Sequence, residues 1–233
     1  MTTSKILSSV NNYRDKLKKA STWHNSEDSI AYVSITDSKK GKKKEHFNVY
    51  EFYCYIAIVH DLLANYQLLF IKGAGKGKEA YKFPQAAANK KGSPRFDAYK
   101  SGVRIFQICA GTLVDGLNES ENEHPDISFQ VDSAGDAPQK EDLIIILDAK
   151  YQDDFDSRLS KLQVQGFAFK VNSHFCLPSP PQSHINFDKL PYFFGNCLIT
   201  NAQSHSDKGD MLARQSIKEV TNFYPDTAVK ILP

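Results

Sequence analysis

Hydrophobic and polar positions recur along this chain with two different periods. Between residues 5 and 20, apolar side chains recur at roughly helical spacing with lysines between them, which predicts an amphipathic helix. Residues 48–65 are apolar almost all the way round, so we expect a buried helix with Asn48 as its N-cap. The shorter runs at 30–36 and 66–72 are typical of strands. The first third of the chain therefore predicts two helices and two strands.

The middle of the chain predicts three strands separated by turns. Residues 103–114, 126–131 and 143–151 are strand-like runs bounded by turn-rich segments. The second run alternates polar and apolar residues throughout, so it has one core face and one polar face. The third is aliphatic until it reaches Asp148, which predicts a buried central strand. The segment 73–96, punctuated by Gly, Lys and Pro, is predicted as loop with one short strand.

The last third returns to helical spacing. We expect a helix at 156–171, then a proline-rich connector, a short strand at 197–201 and a final helix at 208–223 capped by Ser206 or Asp207. The alternation of helices and strands predicts the α/β class, with a central mixed β-sheet flanked by helices.

Chain length leaves the domain organisation open. The 233 residues suffice for one generous domain or for a core with an appendage. We divide the chain into an N-terminal helix and strand appendage at 1–46, a core at 47–205, and a C-terminal helix and tail at 206–233. We expect these parts to form one compact unit.

Overall charge does not identify a partner. The chain carries 29 Lys and Arg against 27 Asp and Glu, a formal net charge of +2, so nucleic-acid binding would have to come from local clusters of positive charge. The N-terminus lacks the apolar core of a signal peptide, and the apolar stretch at 52–59 is too short to span a membrane. We therefore expect a soluble, cytoplasmic protein with no membrane partner.

Charged residues lie at one end of the hairpin that the runs 126–131 and 143–151 would form. Asp126 lies on the polar face of its strand, while Asp148 and Lys150, two positions apart, project to one side of theirs. A hairpin centred on Ala137 would place Asp126 opposite Asp148, since each is eleven positions from that centre. Like-charge repulsion disfavours such a pair unless a cation lies between the carboxylates.

This arrangement has a recognisable form. Pro125 and Asp126 at a strand start, followed by a strand that ends in Asp148, one residue and Lys150, resemble the signature of the PD-(D/E)xK nuclease superfamily. The resemblance extends over roughly residues 48–172. It implies the restriction-endonuclease-like fold, with an αβββαβ core, and the chemistry of a Mg²⁺-dependent deoxyribonuclease.

The resemblance also implies roles for individual residues. Asp126, Asp148 and the backbone carbonyl of Ala149 would hold Mg²⁺ or Mn²⁺, and Lys150 would position or activate the attacking water. Members of this superfamily often add an acid from the helix before the sheet, which here implies Glu51 as a further catalytic residue and metal ligand. The alternative for Glu51 is a capping box at the start of its own helix.

Positive and polar side chains near these strands could bind the substrate. Arg158, Lys161 and Gln165 have helical spacings of three and four, and the resemblance implies that a Lys or Gln of this helix faces the active site. An ordinary solvated face is the alternative. Lys76 and Lys78 lie in a glycine-rich loop suited to phosphate contacts, although the loop is not a Walker A motif.

The motif is short, and the chain contains partial second copies of it. Another Pro-Asp occurs at 225–226 and another Asp-x-Lys at 37–39, but neither has the matching strand context. The resemblance implies hydrolysis of phosphodiester bonds with DNA as the partner, in restriction, defence or repair, as a homodimer or in a larger complex. The alternative is a catalytically inactive nucleic-acid-binding or scaffold domain with the same fold.

Overall fold

The computed structural model describes residues 3–23, 43–84, 87–114, 124–177 and 184–232. Its α-helices are α1 (Thr3–Ala20), α2 (Lys43–Leu62), α3 (Lys161–Phe169) and α4 (Gly209–Arg214). Its strands are β1 (Gln67–Ile71), β2 (Arg95–Lys100), β3 (Val103–Ala110), β4 (Ile127–Val131), β5 (Leu143–Lys150), β6 (Cys197–Thr200), β7 (Lys218–Thr221) and β8 (Lys230–Leu232). The strand expected at 30–36 lies outside the described residues.

All eight strands form one mixed sheet in the order of the sequence. Strands β1 to β5 are antiparallel neighbours, β5, β6 and β7 run parallel, and β8 returns antiparallel to β7. The parallel pairing from β5 to β6 follows from the long connection through α3, because parallel strands require a crossover. The predicted α/β class, with a mixed sheet and helices, is confirmed.

Helices cover both faces of the sheet, and β5 shows why its sequence is aliphatic. Ile145 and Leu147 belong to the apolar cluster that includes α1 and α2, whereas Ile146 belongs to the cluster that includes α3 and α4. A strand covered on both faces carries apolar side chains at successive positions rather than in alternation. This two-sided burial holds the end of β5, and the charged residues there, in a fixed position.

The helix boundaries differ from the predicted ones. Helix α2 begins at Lys43, so Asn48 lies inside it and the predicted N-cap and capping box are wrong. Lysine and glutamate favour helix, which allows α2 to extend towards the N-terminus. Helix α3 begins later than predicted, after Ser160, whose side chain accepts the Gln163 N–H in a capping box. No helix in the described part of the chain is long and apolar enough to cross a membrane.

The C-terminal region is where the helical prediction is wrong. Helix α4 ends at Arg214, Ser216 has a left-handed φ of 55°, and β7 pairs with β6. Pairing with an existing strand overrides the local helical spacing, as tertiary context often does. Because β7 and β8 belong to the same sheet, residues 206–232 are structurally continuous with the core.

Candidate active site

The hairpin between β4 and β5 has the predicted register. Ile127 pairs with Leu147 and Phe129 with Ile145, and one further step along the ladder brings Asp126 opposite Asp148. A bulge shifts the register only after Phe129, towards the turn. The two acidic residues therefore meet at the open end of the hairpin.

An ammonium group lies between the two carboxylates. Lys150 Nζ is 2.6 Å from Asp148 Oδ2 and 3.6 Å from Asp126 Oδ2. The Ala149 N–H donates a 2.7 Å hydrogen bond to Asp126 Oδ2, which fixes this carboxylate against the backbone of β5. The Asp148 side chain is 2% exposed and the Lys150 side chain 27% exposed. The two aspartates thus form the buried floor of the site, and the lysine side chain extends from them towards solvent.

A second lysine, which was not predicted from the sequence, also lies close to Asp148. Lys170 Nζ lies 3.6 Å from Asp148 Oδ1 and donates to the His124 carbonyl at 3.3 Å. Lys170 begins a π-helical turn that runs on from α3, a distortion common at functional sites. The signal in the sequence was a lone lysine between Phe169 and Val171, in an otherwise apolar helix end.

The charges of this cluster act strongly on one another. Burial raises the pKa of Asp126 well above its usual range, the Asp148 carboxylate raises it further, and Lys150 opposes both. Burial also acts to raise the pKa of Asp148, but Lys150 and Lys170 outweigh it and leave that pKa below its usual value. Burial would lower the pKa of Lys150, yet the two aspartates raise it overall. Asp148 and Lys150 therefore form an ion pair, and of the two aspartates it is Asp126 that binds a proton more readily.

Glu51 joins this cluster from α2. Burial raises its pKa to about 7, with Lys150 lowering it and Asp148 raising it in part. The structure excludes the capping box, since Glu51 lies in the third turn of α2 and not at its start. Three carboxyl groups and two ammonium groups therefore share one end of the sheet.

The raised pKa of Glu51 predicts how stability depends on pH. A carboxyl group that binds its proton more tightly in the folded state stabilises the fold below its usual pKa of 4.5. That stabilisation is lost as pH rises from 4.5 to about 7. Between pH 5 and 8 in EDTA, the free energy of unfolding of the wild type should therefore fall by about 2.5 kcal/mol more than that of Glu51→Gln.

Urea unfolding at the two pH values measures this difference. Glu141→Gln is the matched control, because the Glu141 side chain is 72% exposed and distant from the acidic pair in the sheet. Its pH dependence should equal that of the wild type. A Glu51→Gln protein with the wild-type pH dependence would show that Glu51 is not held in the charged cluster.

The other helical residues predicted to bind substrate do not contact the acids. Arg158 precedes α3 and pairs with Asp207, so it does not share a helical face with Lys161 and Gln165. Lys161 and Gln165 are exposed on α3. Within the described residues it is Lys170, and neither of them, that forms an ion pair with Asp148.

Lysines at the same end of the sheet extend the positive charge beyond the site. The strand pairing places the end of β1 and the start of β2 at the end of the sheet where Asp126 directly precedes β4. Lys72 directly follows β1, and Lys72, Lys76 and Lys91 are exposed. Three strand spacings place the end of β1 roughly 14 Å from β4. The side chain of Lys78 lies outside the described residues.

The donor set of the site fits a hard divalent cation in part. Asp148 Oδ1 is buried and accepts no hydrogen bond within the described residues, so this oxygen has coordination capacity to spare. Carboxylate and carbonyl oxygens suit Mg²⁺ and Mn²⁺. Among the described residues, however, no three His, Cys, Asp or Glu side chains are grouped closely enough to form a complete metal site. A cation here would need backbone carbonyl and water ligands as well.

The second copies of the motif do not form such a cluster in the described residues. Asp226 lies in an exposed turn with φ of 62°, where its charge acts on the pKa values of Tyr13 and Tyr53. Asp37 lies outside the described residues.

No protein-family model, curated protein or solved structure matches this chain. The function therefore has to be inferred from the residues at the end of the β4–β5 hairpin.

Proposed function

We propose that this chain is a metal-dependent deoxyribonuclease of the PD-(D/E)xK type, which hydrolyses phosphodiester bonds in DNA. One observation carries the proposal. Asp126 and Asp148 face each other at the end of a hairpin, buried, with the ammonium groups of Lys150 and Lys170 against them. Perturbed, interacting ionisable groups at a fixed site are typical of catalysis.

The order of elements supports the same proposal. Strands β3, β4 and β5 are antiparallel neighbours, α3 follows them, and β6 then pairs parallel with β5. With α2 ahead of them, this order is compatible with the αβββαβ order expected of a restriction-endonuclease-like core. Strands β1 and β2 extend that core between α2 and β3.

A divalent cation would be held by Asp126, Asp148 and the carbonyl of Ala149, with Glu51 as a further ligand or partner of a ligating water. Oxygen ligands of this kind suit Mg²⁺ or Mn²⁺. When bound, the cation supplies positive charge that neutralises the scissile phosphate and helps to ionise the attacking water. The unused hydrogen-bonding capacity of Asp148 Oδ1 supports this assignment.

The chain's own residues perform the remaining tasks. The two aspartates fix the Lys150 ammonium, which would orient the attacking water and offset charge that develops on the phosphate. Lys170 supplies a second positive charge from the opposite side of Asp148. Glu51, with a pKa of about 7, could accept a proton at neutral pH.

A cleavage assay tests the proposal directly. Incubation with plasmid DNA and with single-stranded DNA should produce cleavage in Mg²⁺ or Mn²⁺ and none in EDTA. Activity that survived EDTA would contradict a metal-dependent mechanism. Absence of cleavage on every substrate would contradict the proposed enzyme.

The alternative is a catalytically inactive nucleic-acid-binding or scaffold domain. The observation in its favour is that Lys150 already forms ion pairs with both aspartates, at 2.6 and 3.6 Å, so these contacts alone could stabilise them. DNA binding without cleavage, unchanged by Mg²⁺, is the result this alternative predicts. The raised pKa values of Asp126 and Glu51, caused by burial and further by the charge of Asp148, favour the enzyme, because perturbed carboxyl groups are typical of catalytic sites.

A further inference from the structure

Few phenylalanine rings of the described residues are exposed. Phe47, Phe169 and Phe194 are at least partly open to solvent, while most other aromatic rings pack in the core. Phe194 remains exposed and has a cation–π contact, with Lys218 Nζ 3.9 Å from its centroid. Phe169 directly precedes Lys170 at the end of α3, and Phe47, 37% exposed, lies on α2, the helix that carries Glu51.

Phe47 lies on the helix face that carries Glu51. The two residues are four positions apart on α2, so their side chains are neighbours on one face. The Phe47 ring packs perpendicular to Tyr151, with centroids 6.0 Å apart and an interplanar angle of 86°. Tyr151 directly follows Lys150. Through Glu51 on the same helix and through Tyr151, next to Lys150, the Phe47 ring lies at the end of the sheet that carries the site.

The support beneath Phe47 is rigid. Tyr151 is 7% exposed and also packs against His46, at 5.9 Å and 82°, and against Tyr50, at 5.7 Å. Four aromatic rings thus form one cluster at the junction of α2 and β5. A ring fixed in this way loses little conformational freedom when a ligand stacks on it.

The neighbourhood of Phe47 limits what it can bind. Of the other exposed apolar side chains, Val103 and Ile105 lie at the start of β3, the opposite end of that strand from the site. Leu162 and Phe169 lie on α3, which packs on the other face of the sheet from α2, and Ile231 lies on the last strand, β8. Phe47 is therefore not part of a broad apolar patch of the kind that docks proteins. It is one apolar ring beside lysine and carboxylate groups, which matches a ligand with an aromatic part and a phosphate.

We propose that Phe47 stacks on an unpaired DNA base next to the scissile phosphate, so that the preferred substrate is single-stranded DNA. This inference rests on the proposed nuclease function and adds a substrate class to it. Bases in a duplex are already stacked on their neighbours, whereas every unpaired base has a free π face for an aromatic side chain. Lys150 and Lys170 would contact the phosphate while Phe47 holds the adjacent base.

Binding in EDTA tests the stack without cleavage. Fluorescence anisotropy should show that the wild type binds a labelled 20-nucleotide oligo(dT) more tightly than a duplex of equal length. Phe47→Ala should weaken oligo(dT) binding about 5- to 150-fold, the range expected for the loss of one base–aromatic stack, and leave duplex binding unchanged. Phe194→Ala, which removes another exposed ring, is the matched control and should bind like the wild type.

A second variant keeps the test independent of folding defects. Phe47→Trp retains a stacking ring and should keep oligo(dT) affinity, and its added indole should be quenched when the oligonucleotide binds. The native Trp23 is 1% exposed and provides the unquenched background. Unchanged oligo(dT) affinity in Phe47→Ala, or no quenching in Phe47→Trp, would overturn the stack.

Cleavage assays separate this inference from the proposed function. In Mg²⁺, the wild type should cleave single-stranded DNA faster than duplex, and Phe47→Ala should lose that preference. Equal cleavage of both substrates by both proteins would overturn the inference while leaving the nuclease intact. Phe47-dependent binding of oligo(dT) without any cleavage would instead contradict the proposed nuclease and retain the stack.

Discussion

Replacing Lys150 with alanine should lower the rate of DNA cleavage by at least about 100-fold, the loss typical when one preorganised charge-stabilising group is removed. The ammonium of Lys150 is held by Asp148 at 2.6 Å and Asp126 at 3.6 Å, so it is positioned before substrate arrives. In the proposed mechanism, its loss removes both the positive charge and the group that would orient the attacking water. Single-turnover cleavage at saturating Mg²⁺ measures this effect separately from substrate binding.

Two controls make the result specific. Lys100→Ala removes an exposed lysine at the β2–β3 hairpin, the opposite end of those strands from the site, and should cleave at the wild-type rate. Lys150→Ala also leaves two buried carboxylates with less compensating charge, which destabilises a fold. Its melting temperature in Mg²⁺ therefore has to be measured alongside its activity. A folded Lys150→Ala protein with wild-type activity would remove this lysine from the mechanism.

The register of the acidic hairpin could be predicted because its determinants are local. The side-chain period of two fixes which residues share a face, and the turn residues around Ala137 fix the centre. These two constraints brought Asp126 opposite Asp148 without knowledge of the rest of the fold. The bulge between Phe129 and Gln130 was not predicted, and the register at the acids depends on it: on the turn side Gln130 pairs with Leu143, and the bulge shifts the ladder by one residue, so that Asp126 comes opposite Asp148.

Lys170 was missed because it lies on a different face of the helix from Lys161 and Gln165. At 3.6 residues per turn, a residue nine positions after Lys161 and five after Gln165 points away from both of them. The face of α3 that reaches Asp148 depends on how the helix packs on the sheet, which the sequence alone does not determine. Arg158 was misplaced because the Ser160 cap starts α3 after it.

The last two strands of the chain, β7 and β8, were missed because their stability comes from pairing. Strand β7 has four residues, β8 has three, and neither carries a clear period in the sequence. Both form because β6 offers a free edge on which β7, and then β8, can pair. Short segments of this kind take their structure from tertiary context and not from local preference.

The charges at the site are not balanced without a further cation. When ionised, Glu51, Asp126 and Asp148 carry three negative charges, and Lys150 and Lys170 carry two positive ones. Burial raises the pKa values of Glu51 and Asp126, and the charge of Asp148 raises both further, so these carboxyl groups bind protons more readily than usual. A divalent cation would displace those protons, because metal ligands have to be deprotonated. Metal binding should therefore stabilise the protein more at pH 8 than at pH 5.5.

Asp148→Asn should remove most of this stabilisation and abolish cleavage. At a Mg²⁺ concentration of 100 times Kd, binding stabilises a folded protein by about 2.7 kcal/mol. For a chain of this size that corresponds to a rise in melting temperature of about 5–10 °C. The substitution keeps the shape of the side chain, but it removes the ligand charge and the ionic partner of both Lys150 and Lys170.

The matched control is Asp226→Asn, which changes the second Pro-Asp of the chain. Asp226 has φ of 62°, a conformation that asparagine also tolerates, so the substitution should not strain the turn. Asp226→Asn should keep the wild-type rise in melting temperature with Mg²⁺ and the wild-type cleavage rate. If Asp148→Asn retained that rise, or Asp226→Asn lost it, the metal would bind elsewhere, and the paired carboxylates would be a structural ion pair with Lys150.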